Sequence, residues 1–195
     1  MNTALRKSMT LPEFLTWEER QELRYEFDGL VPVAMTGGTY AHDEITANLR
    51  QALKTRLAGK PCRPCGPNVK IIAGGKVRYP DVLVTCSPIA ADATVIADPV
   101  VVFEVVSEEN ARTDRMHKVH DYRATPSIQR YVILEQKFIG ATVFARSGSE
   151  WNATTLVEGG MLRLPEIGTE LPLAECYAGL DLAGTTASDE GSRQA

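Results

Sequence analysis

One carboxylate, Glu104, interrupts an otherwise apolar run, Pro99-Val-Val-Val-Phe-Glu-Val-Val-Ser107. Strand alternation sets Val100, Val102, Glu104 and Val106 on one face and Val101, Phe103, Val105 and Ser107 on the other. Burying a lone carboxylate costs several kcal/mol, so Glu104 is expected to be paired, protonated or metal-bound. A second acid, Asp81, opens another apolar run, Tyr79-Pro-Asp-Val-Leu-Val-Thr85. Two carboxylates entering one sheet side by side supply hard oxygen ligands, which suit Mg²⁺ or Mn²⁺ better than zinc. A polar helix downstream carries Lys118, an ammonium that could orient a water or offset developing negative charge. Together these three groups are what phosphodiester hydrolysis requires, with a bound divalent ion lowering the pKa of its water.

The elements that must position them follow from pattern and punctuation. Thr10-Leu-Pro-Glu13 reads as a capping box opening a short helix to about Glu22. Arg24 to Met35 reads as a hairpin turned tightly at Asp28-Gly29. From Tyr40 to about Leu57, Ile45, Leu49, Leu53 and Leu57 recur every four residues, an amphipathic helix stopped by Gly59 and Pro61. Strands are expected over Asn68–Ala73, Asp81–Thr85 and Val100–Val106, then a polar helix from Asn110 to Ala124 ended by Pro126. Ile128–Leu134, Ala141–Ala145 and Trp151–Val157 read as successive strands. Leu164 to Leu182 is turn-rich, with one short helical piece near Ala174. The order predicts an α/β (α+β) domain with a central mixed sheet flanked by helices. A single domain over 1–182 and a frayed polar tail over 183–195 are expected.

The chain has 195 residues, 44% of them hydrophobic, and a formal net charge of −4. No apolar run approaches the roughly 20 residues of a membrane span, and no signal-peptide core follows the N-terminus; a cytoplasmic, soluble protein is the expectation. Its basic residues are segregated. No Asp or Glu lies between Ile45 and Pro80, where Arg50, Lys54, Arg56, Lys60, Arg63, Lys70, Lys76 and Arg78 fall. A second cluster holds Arg112, Arg115, Lys118 and Arg123, with His117 and His120 among them. Such clustering on an acidic chain suits a polyanion-binding face, and it equally suits solvated helix surfaces. Cys62, Cys65, Cys86 and Cys176 are too scattered for a disulfide framework. Cys62-Arg-Pro-Cys65 lacks the second ligand pair that zinc needs, so the cysteines are expected to pack or to line a loop.

Pro80-Asp81 followed by the Glu104 strand resembles the PD-(D/E)XK nuclease superfamily. Its usual Glu-x-Lys ending is here Glu104-Val-Val106, without the lysine. One branch takes its lysine from the next helix, and Glu104-Val-Val-Ser107, Arg112-Thr-Asp114, Lys118 and Tyr122 resemble that branch, the Uma-two family of putative restriction endonucleases. Tyr25-Glu-Phe-Asp-Gly29, His42 and Tyr131-Val-Ile-Leu134 also match, so the resemblance runs from about Thr10 to Leu182. It implies a restriction-endonuclease-like core, a Mg²⁺ (or Mn²⁺) site and DNA as substrate. On that resemblance Asp81 and Glu104 hold the metal, Lys118 assists, and Glu26, His42 and Tyr122 support them. Arg50, Lys54, Lys70, Lys76, Arg78, Arg112 and Arg115 would grip phosphates. Cutting both strands would favour a two-fold homodimer. One departure stands out: Ser107-Glu-Glu-Asn110 replaces the family's Ser-Pro-Ser-Thr and adds two acids beside the site.

Two other readings use the same residues. A catalytically inactive nucleic-acid-binding or assembly module would keep the basic face, with Glu104 in a salt bridge. A small-molecule enzyme would use the acids as a general acid and base, and would need a closed apolar pocket.

Overall fold

The computed structural model describes residues 8–106 and 118–182. The expected tail over 183–195 and the segment 107–117, with Ser107–Asn110, Arg112, Arg115 and His117, lie outside the described residues.

Thr10 caps α1 (Leu11–Glu18) in the reciprocal pattern its sequence predicts. Its hydroxyl accepts from the Glu13 N–H, and the Glu13 carboxylate accepts from the Thr10 N–H at 2.7 Å. β1 (Tyr25–Phe27) and β2 (Pro32–Ala34) form the expected hairpin. Its loop is longer than a two-residue turn. Phe27 pairs with Pro32, and the Asp28 carboxylate accepts from the Leu30 and Val31 N–H groups, so Asp28 through Val31 close the turn. α2 (Tyr40–Arg56) starts at Thr39 and buries Ile45, Leu49 and Leu53, the stripe its four-residue spacing dictates.

β3 (Arg63–Cys65), β4 (Ile71–Ala73), β5 (Lys76–Arg78) and β6 (Val82–Thr85) are three or four residues long. β7 (Pro99–Val106), β8 (Arg130–Glu135), β9 (Gly140–Ser147) and β10 (Glu150–Val157) form the body of the main sheet. A third helix is described over 118–123 and is called α3. Two strands that the apolar pattern did not suggest, β11 (Met161–Leu164) and β12 (Thr169–Pro172), pair as a separate ribbon.

The six-stranded sheet has the order β10-β9-β8-β7-β6-β3. Only β7 and β8 run parallel; the other neighbours are antiparallel, so the sheet is mixed. Both its faces are covered. Val101, Phe103 and Val105 of β7 pack with α2 and β12 residues, and Val102 packs with Leu83, Tyr122 and Tyr131 on the opposite face. A four-stranded sheet, β2-β1-β5-β4, is packed on its own cluster with Phe14 of α1. The buried pair of Glu18 and Lys70, 2.5 Å apart, together with the Tyr79 hydroxyl donating to Glu18, fastens α1 to that sheet.

The cysteines correct one expectation. Cys62 and Cys86 form a disulfide. β3 pairs with β6 so that Arg63 faces Thr85; one step outward the same register sets Cys62 across from Cys86. Sequence spacing cannot reveal a pair made by cross-strand register. Cys176 does pack in the core, and Cys65 is half-buried. Among the described residues, no helix is long and apolar enough to cross a membrane.

Candidate active site

Register brings the two acids together. Val82 pairs with Phe103 across β6 and β7, so the preceding residue, Asp81, stands across from Glu104. Asp81 sits one residue before its strand, where its side chain can cap the neighbour: Oδ2 accepts from the Val105 N–H at 2.7 Å. The loop before it fits closely. At Gly66 (φ +128°) a Cβ would lie 2.4 Å from the Asp81 carbonyl oxygen, so only glycine allows this approach. On the other side His42, in the first turn of α2, brings Nε2 within 3.2 Å of Asp81 Oδ2. That hydrogen bond holds the imidazole more basic than usual against the opposing effect of burial, with the charges of Asp81 and Glu104 adding to it.

Glu104 is buried, as its place in β7 requires, and it is partnered from α3. Lys118 Nζ lies 3.2 Å from Glu104 Oε1, and the Tyr122 hydroxyl donates to the same oxygen at 2.7 Å. Lys118 and Tyr122 are four apart, so they share one helix face. Lys118 also lies 3.4 Å from Glu26 Oε1 of β1. The Glu26 carboxylate in turn accepts from the Tyr79 N–H at 3.2 Å and from Arg78 at 2.9 Å. The structure thus gathers Asp81, Glu104, Lys118, Glu26, His42 and Tyr122 in one place. All but Tyr122 line a cleft of about 920 Å³, with Thr39, Gln136 and Lys137 on its walls.

Burial pushes the Glu104 carboxyl up to about 8, and the negative charges of Asp81 and Glu26 push the same way. The Lys118 ammonium and the Tyr122 hydrogen bond oppose them. The folded state therefore holds a proton on Glu104 that the unfolded chain releases near 4.5. Between those limits the native state binds more protons, so stability is greatest below the unfolded value and falls as pH rises to about 8. The expected loss for the metal-free protein is a few kcal/mol, and Glu104→Gln should flatten the profile. Chemical denaturation at a series of pH values reads this directly; an equal slope in the variant would contradict it.

The donors at the site are of a kind that could hold a divalent ion. Among the described residues, no three His, Cys, Asp or Glu side chains converge as a ready cage. Mg²⁺ does not need one: it retains waters and is commonly held by one or two carboxylates plus substrate phosphate. Glu104 receives both its hydrogen bonds on Oε1, and Asp81 receives its contacts on Oδ2. Their other oxygens, Oε2 and Oδ1, have no hydrogen-bond partner among the described residues, and both side chains line the cleft. Burial and the charges of Asp81 and Glu26 disfavour the ionised form of Glu104, and a cation beside it would offset both.

The expected phosphate-gripping residues divide. Lys70 and Arg78 are not on an open face. Both are buried, Lys70 on Glu18 and Arg78 between Glu26 and Asp121. Lys76 is paired with Asp121 at 2.7 Å. Arg50 is half-buried and Lys54 exposed on α2. Arg112 and Arg115 lie outside the described residues. The reason is the company these cations keep: their acidic partners are distant in sequence, so an acid-free stretch is not an acid-free environment. Asp121, one turn beyond Lys118, escaped the sequence reading. No local signal marked it: its partners Arg78 and Lys76 are 43 and 45 residues away in sequence.

This mixed sheet with its acid-lined cleft is a fold seen in a solved structure. It matches the crystal structure of a putative nuclease belonging to DUF820 from Anabaena variabilis with a TM-score of 0.69, covering 87% of this chain and 97% of that one at 15% identity. Residues 11–174 match the model of the Uma2 family, described as putative restriction endonuclease, and the chain belongs to that family. Two relatives from Synechocystis sp. are uncharacterized proteins. The protein slr1290 is 31% identical over 173 residues, covering 86% of this chain and 90% of its own length. The protein sll1609 is 27% identical over 165 residues, covering 80% and 92%.

Proposed function

We propose that this protein is a Mg²⁺- or Mn²⁺-dependent endonuclease that hydrolyses phosphodiester bonds, with DNA as its substrate. The observation that carries the reading is the cross-strand juxtaposition of Asp81 and Glu104 beside the Lys118 ammonium, in a cleft of a nuclease-family fold. Asp81 and Glu104 hold the ion. When bound, the cation lowers the pKa of a water and offsets charge on the phosphate.

The chain's own groups do the rest. Lys118, set between two carboxylates, acts as an ammonium: it donates to a phosphate oxygen as negative charge develops there. Tyr122 and Lys118 fix the Glu104 carboxylate by occupying Oε1, which aims Oε2 at the cleft. His42 fixes Asp81 in the same way through Oδ2. Glu26 keeps Lys118 near Glu104 while itself held by Arg78. Two such sites in a homodimer would serve cleavage of both strands of a duplex.

The small-molecule reading needs a closed apolar pocket; this cleft is partly open to solvent, with Glu26, Asp81, Glu104, Lys118 and Lys137 set among apolar residues. The inactive-binder reading places Glu104 in a salt bridge, and Lys118 supplies one. Metal dependence separates it from the nuclease. Supercoiled plasmid should be nicked with Mg²⁺ or Mn²⁺ and left intact with a chelator. Retention on DNA with no cleavage under any divalent ion would favour the binder.

A further inference from the structure

A second polar depression, of about 350 Å³, lies away from the cleft and is lined by His120, Arg123, Arg146, Ser149, Glu150 and Trp151. Its two arginines are used differently. Arg146 is spent on backbone: Nε donates to the Ile128 carbonyl at 2.9 Å, and the guanidinium also donates to the carbonyls of Arg123 and Thr125. It closes the C-terminal end of α3, where carbonyls lack helical partners, and its Cζ sits 4.6 Å from the Trp151 ring centre.

Arg123 is exposed and has none of those bonds. Its Cζ lies 5.7 Å from the Phe144 ring and 5.9 Å from the Trp151 ring, so two aromatic side chains brace the guanidinium. None of the described residues accepts a hydrogen bond from it. A guanidinium held in place with its donor fork open is prepared for a planar or tetrahedral oxyanion, because little side-chain entropy remains to be lost on binding. His120, whose side chain is 84% exposed, and Ser149 stand in the same depression. Among the described residues, Glu150 is the one acid lining it, against two arginines.

We infer that Arg123, braced by Phe144 and Trp151, is a phosphate-binding subsite for the nucleic-acid backbone, separate from the catalytic cleft. The identity of the anion as a nucleic-acid phosphate rests on the nuclease reading above. Lys118 and Arg123 are five residues apart on α3, about 7.5 Å along its axis and about 140° around it, so the cleft and the subsite lie on different sides of one helix. The contact is to phosphate alone, so it adds affinity without reading sequence.

The test is binding of a labelled DNA duplex with Ca²⁺ replacing Mg²⁺, across a series of salt concentrations. Wild type, Arg123→Ala, Arg123→Lys and the distant exposed control Arg163→Ala are compared. Arg123→Ala should lower the slope of log K against log salt by about 0.9, the loss of one phosphate contact. Arg123→Lys should keep the slope, since it keeps the charge, but bind more weakly because lysine lacks the planar fork. Arg163→Ala should match wild type. Tight wild-type binding with an unchanged slope in Arg123→Ala would overturn the subsite and leave the nuclease reading standing. Absence of wild-type binding would overturn the nuclease reading and the subsite with it.

Discussion

Asp81→Ala and Glu104→Ala should each reduce metal-dependent cleavage by about 10³-fold or more, while the protein remains folded. The size follows from what the carboxylates are asked to supply. A correctly held cation contributes several kcal/mol of charge stabilisation in the transition state, and each 1.36 kcal/mol is tenfold in rate. Folding should survive for a local reason. Glu104 is a buried acid pushed toward its neutral form by Asp81 and Glu26, so deleting its carboxyl removes a repulsive cluster along with its partners. Asp81 lies at a strand end, where its loss costs one hydrogen bond to the Val105 N–H and the contact to His42. Such a bond is worth about 1–3 kcal/mol. Lys118→Ala should behave differently, lowering turnover with metal affinity preserved. Full activity in either acid variant, measured on protein with an intact unfolding transition, would sink the site assignment.

Arg78→Met should destabilise the protein by about 3–5 kcal/mol, the typical cost of breaking a buried ion pair from one side. Arg78 is 5% exposed, and its guanidinium reaches Glu26 at 2.9 Å and Asp121 at 2.7 Å. Among the described residues, Asp121, 1% exposed, would keep Lys76 as its cationic partner, with His120 Nδ1 more distant at 3.8 Å. For a chain of this size the loss should lower the melting temperature by about 10 °C or more. The arginine joins three elements: β5, on which it lies, β1 through Glu26, and α3 through Asp121. Because Glu26 also touches Lys118, the variant should loosen the lysine that faces Glu104. A shift in melting temperature of a degree or two would show that water or neighbouring groups already satisfy these carboxylates.

The pair of acids proposed as catalytic was legible because it breaks a rule. A lone acid in a valine-rich strand is conspicuous, and alternation alone assigned Glu104 and Val102 to one face of β7 and Phe103 to the other. α2 and the capping box of α1 were legible from local spacing and local chemistry. The ion-pair network was not. Arg78 and Asp121 are 43 residues apart and Lys70 and Glu18 are 52 apart, and nothing in either stretch specifies which distant partner will arrive. That is why an acid-free basic run looked like a phosphate-binding face while four of its cations, Arg56, Lys70, Lys76 and Arg78, are held on acids. β3 and β5 are three residues each, too short for a period to show, and they exist because neighbouring strands supply their hydrogen bonds. The disulfide of Cys62 and Cys86 depends on the same pairing.

Calorimetric titration of Mn²⁺ into wild type and Glu104→Ala, each alone and with a non-cleavable DNA duplex, decides whether these acids hold an ion. Wild type should bind, more tightly with the duplex because phosphate completes the ion's shell, and Glu104→Ala should bind under neither condition. Equal binding by the two proteins, or no binding by the wild type even with duplex present, would contradict a metal site built on Asp81 and Glu104.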